Sequence, residues 1–361
     1  MSHRAKLIEI DIIETTRPVE IFIMIDNDLP TELLAPAHPS LDLSFAAINW
    51  QAPWMAHISQ LSFLNQRVQN LSNRTEYSAK NLETQGIDKA DFNKSSTIIA
   101  DLLNTAMNQQ ASDTQHQPQT KPAPNNQAHT LRFVSQDDLP EGIGYEYFIG
   151  TTGQIPTREN LHDLFNGSIW LTFPKTKALL NYHHMIEMAG QNKSAMSSAK
   201  NPRGRVRDTI TVFDENGTIL VTCEPDIGGA LIDFNWQASL VTPRADWDNS
   251  LAPRPDAKVA VYIFGHALLE QLIQPRKTLC AHSVVLNVTP GFFTQALPER
   301  MAQVDVLLAE HMHQLLSQEN VTPRKLAPLP ILGVPHFWAD NVNSGFYEDS
   351  RVFRSGRRTP V

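Results

Sequence analysis

The sequence predicts a mixed α+β fold, in which helices and short strands surround one main core. Several long segments place apolar residues every three or four positions, which is typical of amphipathic helices. Other segments are short runs of β-branched residues, which favour strands. The two kinds of segment follow one another without the regular strand–helix alternation of a parallel sheet, so we expect α+β rather than α/β.

The composition bounds the class of protein. The chain has 361 residues and a net charge of −8, and 41% of its residues are hydrophobic. It is too apolar for a wholly disordered protein, and its 2 cysteines are too few for a disulfide scaffold. The acidic balance argues against a protein built mainly to bind nucleic acid. We find no run of about 20 apolar residues and no uninterrupted N-terminal apolar run, so we expect a cytoplasmic protein.

The first 30 residues are predicted to form a β-hairpin extension. Isoleucine alternates with carboxylates in 6–13, and isoleucine recurs at every second position in 19–25. A turn-like stretch containing Pro18 separates the two segments. Period-two alternation of β-branched residues indicates strands that expose one face.

Residues 31–107 are predicted to be a helical N-terminal part, because 57–70 and 98–107 both have helical spacing. Residues 108–130 follow as a polar insertion rich in Asn, Gln and Pro. Such a segment lacks the apolar positions that would offset the entropy of ordering, so we interpret it as disordered.

The main domain is predicted over 131–354. Thr157 is a candidate N-cap for a helix over 158–173, and Pro174 suits the first turn of a second helix that continues to about 188.

The next segment has two interpretations. The β-branched residues of 207–213 favour a strand that forms a hairpin with 218–223, and this is our first choice. The competing interpretation is a short helix from Arg205 that Gly217 closes. Later predicted elements are a helix over 225–240, a strand over 259–264, a helix over 265–273, a strand over 279–288, a helix over 297–316 and an extended proline-rich tail.

Several ordered motifs resemble those of the uncharacterised bacterial family DUF3025. Asn49-Trp50 and Pro53-Trp54 look like its N-terminal signature, and the resemblance extends to Arg354. The family has no established activity, so the resemblance implies no fold, ligand or reaction. The motifs that carry it are TRENLHDLFN (157–166), Trp170, FPKTK (173–177), RVRD (205–208), FDENG (213–217), FGHALLE (264–270), PLP (328–330), LGVP (332–335), FYED (346–349) and VFR (352–354).

A first candidate site is centred on His162 and Asp163, with Asp208 as a further carboxylate. These three residues are candidate ligands of a divalent metal ion, which is the cofactor that we consider. A metal-dependent phosphohydrolase of the HD type would also need an upstream histidine, for which His129 is the nearest candidate. Without a metal, His162 is a candidate general base. The simpler alternative is that His162 bonds to a backbone carbonyl and Asp163 lies at the surface.

A second candidate site consists of cations. Arg205 and Arg207, with Lys175, are candidates for binding a phosphate or carboxylate group of a substrate, and a structural Arg–Asp pair is the alternative. Asn166 joins them as a candidate substrate-binding residue, because it lies four residues after His162 on one flank of the predicted helix.

A third candidate is His266, which follows Gly265 at a predicted strand-to-helix junction. Catalytic groups often occupy such junctions, and we list His266 with His162, Asp163 and Asp208 as a candidate catalytic residue. The alternative is a buried histidine with one backbone partner.

These sites support an enzyme hypothesis and two others. The enzyme would act on a small anionic substrate, such as a phosphoester, by hydrolysis with a divalent ion. A non-catalytic binding or scaffold protein would use Trp50, Trp54 and the proline-rich tail for docking. A single-stranded nucleic-acid binder is the weakest hypothesis, and we expect no membrane association. The sequence lacks the Cys-x-x-Cys, Gly-x-Ser-x-Gly, Walker and Gly-x-Gly-x-x-Gly motifs, so it does not favour the corresponding enzyme classes.

Overall fold

A computed structural model describes residues 45–59, 97–114, 131–194 and 204–356. The predicted hairpin extension lies outside the described residues, and so do most of the predicted helix over 57–70 and most of the polar insertion. The described helices are α1 (Ala56–Ser59), α2 (Ile98–Thr114), α3 (Tyr145–Thr152), α4 (Leu161–Thr172), α5 (Pro174–Ser194), α6 (Arg205–Asn216), α7 (Pro225–Ile232), α8 (His266–Gln271) and α9 (Leu297–Leu316).

The strands form two small sheets. A two-stranded parallel sheet pairs the first two strands, and a four-stranded mixed sheet has the order β4-β3-β5-β6. In the larger sheet β3 runs antiparallel to β4 and parallel to β5, and β5 runs antiparallel to β6. The predicted α+β class is therefore confirmed. The strands are β1 (Arg132–Ser135), β2 (Gln154–Thr157), β3 (Gly217–Thr222), β4 (Val259–Ile263), β5 (Cys280–Asn287) and β6 (Ala327–Pro330).

One hydrophobic core joins the helices to the larger sheet. Every residue of β3 and β4 is buried, which is why these strands read as continuous apolar runs. The described N-terminal residues contribute to the same core, as Trp54 and Leu103 do. A Cβ added at Gly167 would lie 2.2 Å from a methyl group of Leu103, so the glycine permits the close packing of α2 against α4. Among the described helices, none is both long and apolar enough to cross a bilayer.

The segment after Arg205 is a helix, so our first choice of a strand hairpin was wrong and the competing interpretation is correct. The helix α6 buries Thr209, Ile210 and Phe213, which recur at the helical spacing of three and four residues. The β-branched residues gave a strand preference that tertiary packing overrides. Gly217 ends the helix and begins β3, whose partners are β4 and β5 instead of the preceding segment.

Other predicted boundaries also differ from the structure. The helix predicted over 98–107 continues to Thr114, which extends into the segment that we expected to be disordered. The cap of α4 is Asn160 instead of Thr157, which ends β2. The helix predicted over 225–240 breaks after Ile232, where Phe234 adopts a left-handed backbone conformation with φ of 60°.

Candidate functional site

Two imidazoles and a carboxylate converge at one point of the structure. The Nε2 atoms of His162 and His266 lie 2.9 Å apart, and Nε2 of His266 lies 3.5 Å from Oε2 of Glu215. Each side chain offers one ligand atom, and the three atoms lie within 4.8 Å of one another. The residues come from α4, α8 and the end of α6, so the cluster joins three helices that are distant in sequence.

The first turn of α4 is held in place by its neighbours. The side chain of Asn160 caps the helix by accepting a hydrogen bond of 2.7 Å from the backbone N–H of Asp163. The Asp163 carboxylate accepts three hydrogen bonds from Arg158, from the backbone N–H at 2.7 Å, Nε at 3.1 Å and Nη2 at 2.9 Å. This double constraint fixes the start of the helix, and with it the position of His162.

Aromatic packing brings the end of α6 to the start of α8. Phe213 precedes Asp214 and Glu215, Phe264 lies two residues before His266, and the two fully buried rings stack with centroids 4.8 Å apart. The backbone N–H groups of Phe264 and Gly265 both donate to the carbonyl of Gly217.

Gly265 allows this close approach. A Cβ at this position would lie 2.5 Å from the carbonyl oxygen of Glu215 and 2.5 Å from the nitrogen of Gly217. Any other residue would push the two backbones apart, and the distance between His266 and Glu215 would grow with them.

The imidazole of His162 is oriented by Glu270. Nδ1 of His162 lies 3.0 Å from Oε2 of Glu270, so the Nδ1–H donates to the carboxylate and Nε2 faces His266. This hydrogen bond raises the pKa of His162 above its ordinary value, although burial opposes it. A carboxylate behind the second nitrogen is the usual companion of a metal-binding histidine.

His266 lies deeper in the protein. Burial lowers its pKa to about 3, so the ring is neutral at physiological pH. Its Nδ1 faces Oδ2 of Asp214 at 3.9 Å. Burial raises the pKa of the Asp214 carboxyl, but the positive charge and the hydrogen bond of Lys177 oppose it and help to bring the pKa below its ordinary value. Asp214 thus lies on the Nδ1 side of His266, but its carboxylate makes no hydrogen bond to this ring, whereas Glu270 does bond to His162.

A partly buried chain of hydrogen bonds runs from Asp214, next to His266, to Tyr145 on α3. Nζ of Lys177 donates to Oδ1 of Asp214 at 2.6 Å and to Oδ1 of Asn166 at 2.9 Å. Nδ2 of Asn166 donates to the hydroxyl of Tyr145 at 3.2 Å. Lys177 also lies 5.4 Å from the centroid of the Trp170 ring. Asn166 and Trp170 follow His162 on α4 at intervals of four residues, so these three side chains lie along one face of the helix.

The cluster fits a divalent metal ion, and one side of it is open. The side chains of His162, Glu215 and Glu270 are 30%, 35% and 34% exposed, whereas that of His266 is only 5% exposed. Two nitrogens bound to zinc at about 2.0–2.1 Å lie about 3.3 Å apart in a tetrahedron, a few tenths of an ångström more than the distance between these two. Burial raises the pKa of Glu215, which a bound cation would reverse. Three protein ligands leave one coordination position for water or substrate.

Some of the residues predicted from the sequence meet at this cluster. His162 and His266 form its centre, and Asn166 joins it through Lys177. Asp163 lies beside it, but its carboxylate faces Arg158.

Other predicted residues lie elsewhere. Asp208 precedes Glu215 by seven residues on α6, which places it about 10 Å along the helix axis. Arg205 begins the same helix and is exposed, and Lys175 is an exposed residue at the start of α5. Arg207 is half-buried, and its charge contributes to the lowered pKa of His184. His129 lies outside the described residues.

Sequence reasoning missed the carboxylates that complete the cluster. Glu215 and Glu270 each lie within a motif that carries the family resemblance, FDENG and FGHALLE, so that signal was present. The spacing of Glu270, four residues after His266, did not reveal it because Glu270 contacts His162 instead. Trp50 and Trp54, which suggested a docking or stacking surface, are buried in the core.

The fold and the cluster define a mixed α+β protein with a His–His–Glu group on an open polar face. Its sequence belongs to the DUF3025 family, described as "Protein of unknown function", whose model matches residues 131–357. The match includes all the residues of the cluster, and it begins after the residues that look like the N-terminal signature. No curated protein and no solved structure matches the chain significantly.

Proposed function

We propose that this protein is a metal-dependent hydrolase that acts on small anionic substrates. The observation that carries the proposal is the convergence of His162 Nε2, His266 Nε2 and a carboxylate oxygen of Glu215 within 4.8 Å. Two histidines and one glutamate are a ligand set of catalytic zinc sites, in which the fourth position is open.

The protein residues have distinct roles in this proposal. Glu270 holds the imidazole of His162 with Nε2 toward the ion. Asp214 lies on the Nδ1 side of His266, and Lys177 keeps Asp214 ionised. A divalent ion supplies Lewis acidity, which polarises a substrate oxygen and lowers the pKa of water. The partial exposure of His162 and Glu215 gives a substrate access to the ion.

Arg158 is the group that favours an anionic substrate. Its side chain is 52% exposed, and Asp163 engages only Nε and one N–H of Nη2. Three of the five guanidinium N–H groups therefore point away from Asp163, and a fixed guanidinium edge of this kind suits a phosphate or carboxylate. The hydrogen bond to Asp163 raises the pKa of Arg158, and Asp163 directly follows His162 of the cluster on α4.

The test measures zinc content together with hydrolysis of p-nitrophenyl phosphate, bis(p-nitrophenyl) phosphate and p-nitrophenyl acetate. We expect the purified wild-type protein to bind one zinc ion and to hydrolyse at least one anionic ester. His162→Ala and Glu215→Gln should lose both properties. Asp208→Asn is the matched control on the same helix as Glu215, and it should retain both.

Two outcomes would contradict the proposal. Zinc binding that survives His162→Ala and Glu215→Gln would show that the ion lies elsewhere. Zinc loss in Asp208→Asn with retention in Glu215→Gln would instead favour the ligand set that the sequence alone suggested.

A further inference from the structure

The hydroxyl group of Tyr145 ends the partly buried chain of hydrogen bonds. Tyr145 is the first residue of α3, and its hydroxyl contacts the side-chain amide of Asn166 at 3.2 Å. The other end of the chain is Asp214, which faces His266. The metal site proposed above gives Asp214 a role next to His266, but it gives no role to the phenol of Tyr145.

The direction of each hydrogen bond in this chain is fixed by Lys177. Its ammonium group has donors and no acceptor, so the amide oxygen of Asn166 must face it. The amide nitrogen therefore faces Tyr145, and the phenolic oxygen accepts a hydrogen bond. The phenolic proton must be donated to a different group.

No acceptor for this proton lies within hydrogen-bond distance among the residues that the structure describes. Burial raises the pKa of Tyr145 well above its ordinary value, and the charges of Asp163 and Glu146 raise it further, so the proton stays on the oxygen. An anionic oxygen of a ligand would accept this proton in a charge-assisted hydrogen bond, which is stronger than one between neutral groups.

Two sets of contacts connect Tyr145 with the cluster of His162, His266 and Glu215. Asn166 follows His162 by four residues on α4, so the side chains of these two residues are neighbours on one helix face. Lys177 links Asn166 to Asp214, whose Oδ2 lies 3.9 Å from the ring of His266. The phenol is therefore connected to both histidines of the cluster through Asn166 and Lys177.

We propose that Tyr145 is a catalytic residue that donates a hydrogen bond to an anionic oxygen of the ligand bound at the cluster of His162, His266 and Glu215. The inference rests on the proposed metal site and deepens it, because it names tetrahedral oxyanions of the phosphate class as the ligands. Asn166 and Lys177 are positioning residues, since they orient the phenol without touching the ligand.

The test titrates inorganic phosphate into the zinc-loaded protein by calorimetry. Tyr145→Phe should weaken phosphate binding at least tenfold, since a hydrogen bond to a charged group is worth about 1.5–3 kcal/mol. Zinc stoichiometry should be unchanged, because the phenol contacts none of the three ligands. Tyr147→Phe is the matched control, since it removes a hydroxyl from the same helix two residues away and should leave phosphate affinity unchanged.

A second measurement tests the proposal even if the Tyr145→Phe variant does not fold. In a crystal structure of the wild-type protein with zinc and phosphate, a phosphate oxygen should lie within about 3.2 Å of the Tyr145 hydroxyl. A phosphate beyond this distance, a variant with unchanged affinity, or no phosphate binding at all would overturn the role of Tyr145. A protein that binds no zinc would contradict the proposed metal site as well. A protein that binds zinc but fails the phosphate tests would contradict only the role of Tyr145.

Discussion

Among the residues that the structure describes, two pairs of histidines are in ring-to-ring contact, and only one of these pairs belongs to a candidate metal site. His162 and His266 approach through their Nε2 atoms at 2.9 Å. His183 on α5 and His313 on α9 approach through Nε2 and Nδ1 at 3.3 Å. Both pairs join residues that are more than a hundred positions apart, so contact between imidazoles does not by itself distinguish them.

The difference lies in the carboxylates around each pair. His162 has Glu270 behind it and His266 has Asp214, while Glu215 faces the gap between the two rings. Burial lowers the pKa of His183 to about 4, and the charges that lower it further come from His313 and His184. Within the described residues, only the first pair has a third ligand group within 4.8 Å. Carboxylates convert a histidine contact into a cation site, because they orient the rings and neutralise the ion.

The largest expected effect comes from removing one histidine of each pair. His266→Ala should abolish zinc binding, measured by competition with a chromogenic chelator, because it removes a ligand. His183→Ala also removes a buried imidazole. It should leave zinc affinity unchanged, while it lowers the free energy of unfolding by about as much as His266→Ala does. Equal loss of zinc in both variants would show that the two pairs do not differ in the way proposed.

The second effect concerns the carboxylate behind His162. Glu270→Gln should weaken zinc binding by about 10- to 100-fold, which is the usual cost of losing the partner that orients a metal-binding histidine. Glu310→Gln is the control, because Glu310 is an exposed residue on α9 three positions before His313. Zinc affinities that are equal in these two variants would mean that Glu270 does not orient His162.

Much of the fold was predictable from the sequence, because it follows from local patterns. The helix α9 was predicted at its observed limits because its apolar residues have regular helical spacing. The strand β4 was predicted to within one residue because it is a short continuous apolar run. The helix α6 was the main error, because its β-branched residues favour a strand while its apolar positions have helical spacing. Propensity and periodicity disagreed there, and packing decided in favour of periodicity.

The candidate site was predictable only in part, for a physical reason. His162 and His266 stood out because histidines at helix starts are chemically conspicuous. Glu215 and Glu270 did not, because isolated glutamates are common and their role depends on contacts between α4, α6 and α8. Asp163 and Asp208 were attractive for their residue type, but Asp163 faces Arg158 and Asp208 lies two turns away from Glu215.

The third effect tests the close backbone contact on which only the first pair depends. Gly265→Ala should destabilise the protein by about 1–3 kcal/mol, because the new methyl group meets the backbone of Glu215 and Gly217. Gly229→Ala is the matched control, since a Cβ there meets nothing within 4 Å inside helix α7, and it should be neutral or stabilising by up to about 1 kcal/mol. Urea unfolding measures both. A Gly265→Ala variant as stable as wild type would contradict the tight contact.

The smallest effect is a pH dependence of opposite sign for the two pairs, measured by urea unfolding between about pH 8 and pH 6 with zinc chelated. The pKa of His162 is raised in the folded state, so its stabilising contribution is absent at high pH and grows as the pH falls through that raised value. The stability lost in His162→Gln should therefore be greater at pH 6 than at pH 8.

The pKa of His183 is lowered to about 4, so protonation favours the unfolded state as the pH falls below its ordinary value of 6.5. The stability lost in His183→Gln should therefore be smaller at pH 6 than at pH 8, by less than about 1 kcal/mol. The opposite signs have different causes, because the hydrogen bond to Glu270 raises the pKa of His162, whereas burial, assisted by the neighbouring histidines, lowers that of His183. Two variants that change with the same sign would show that Glu270 does not set the charge of His162, and the proposed orientation of its Nε2 toward the ion would lose its main support.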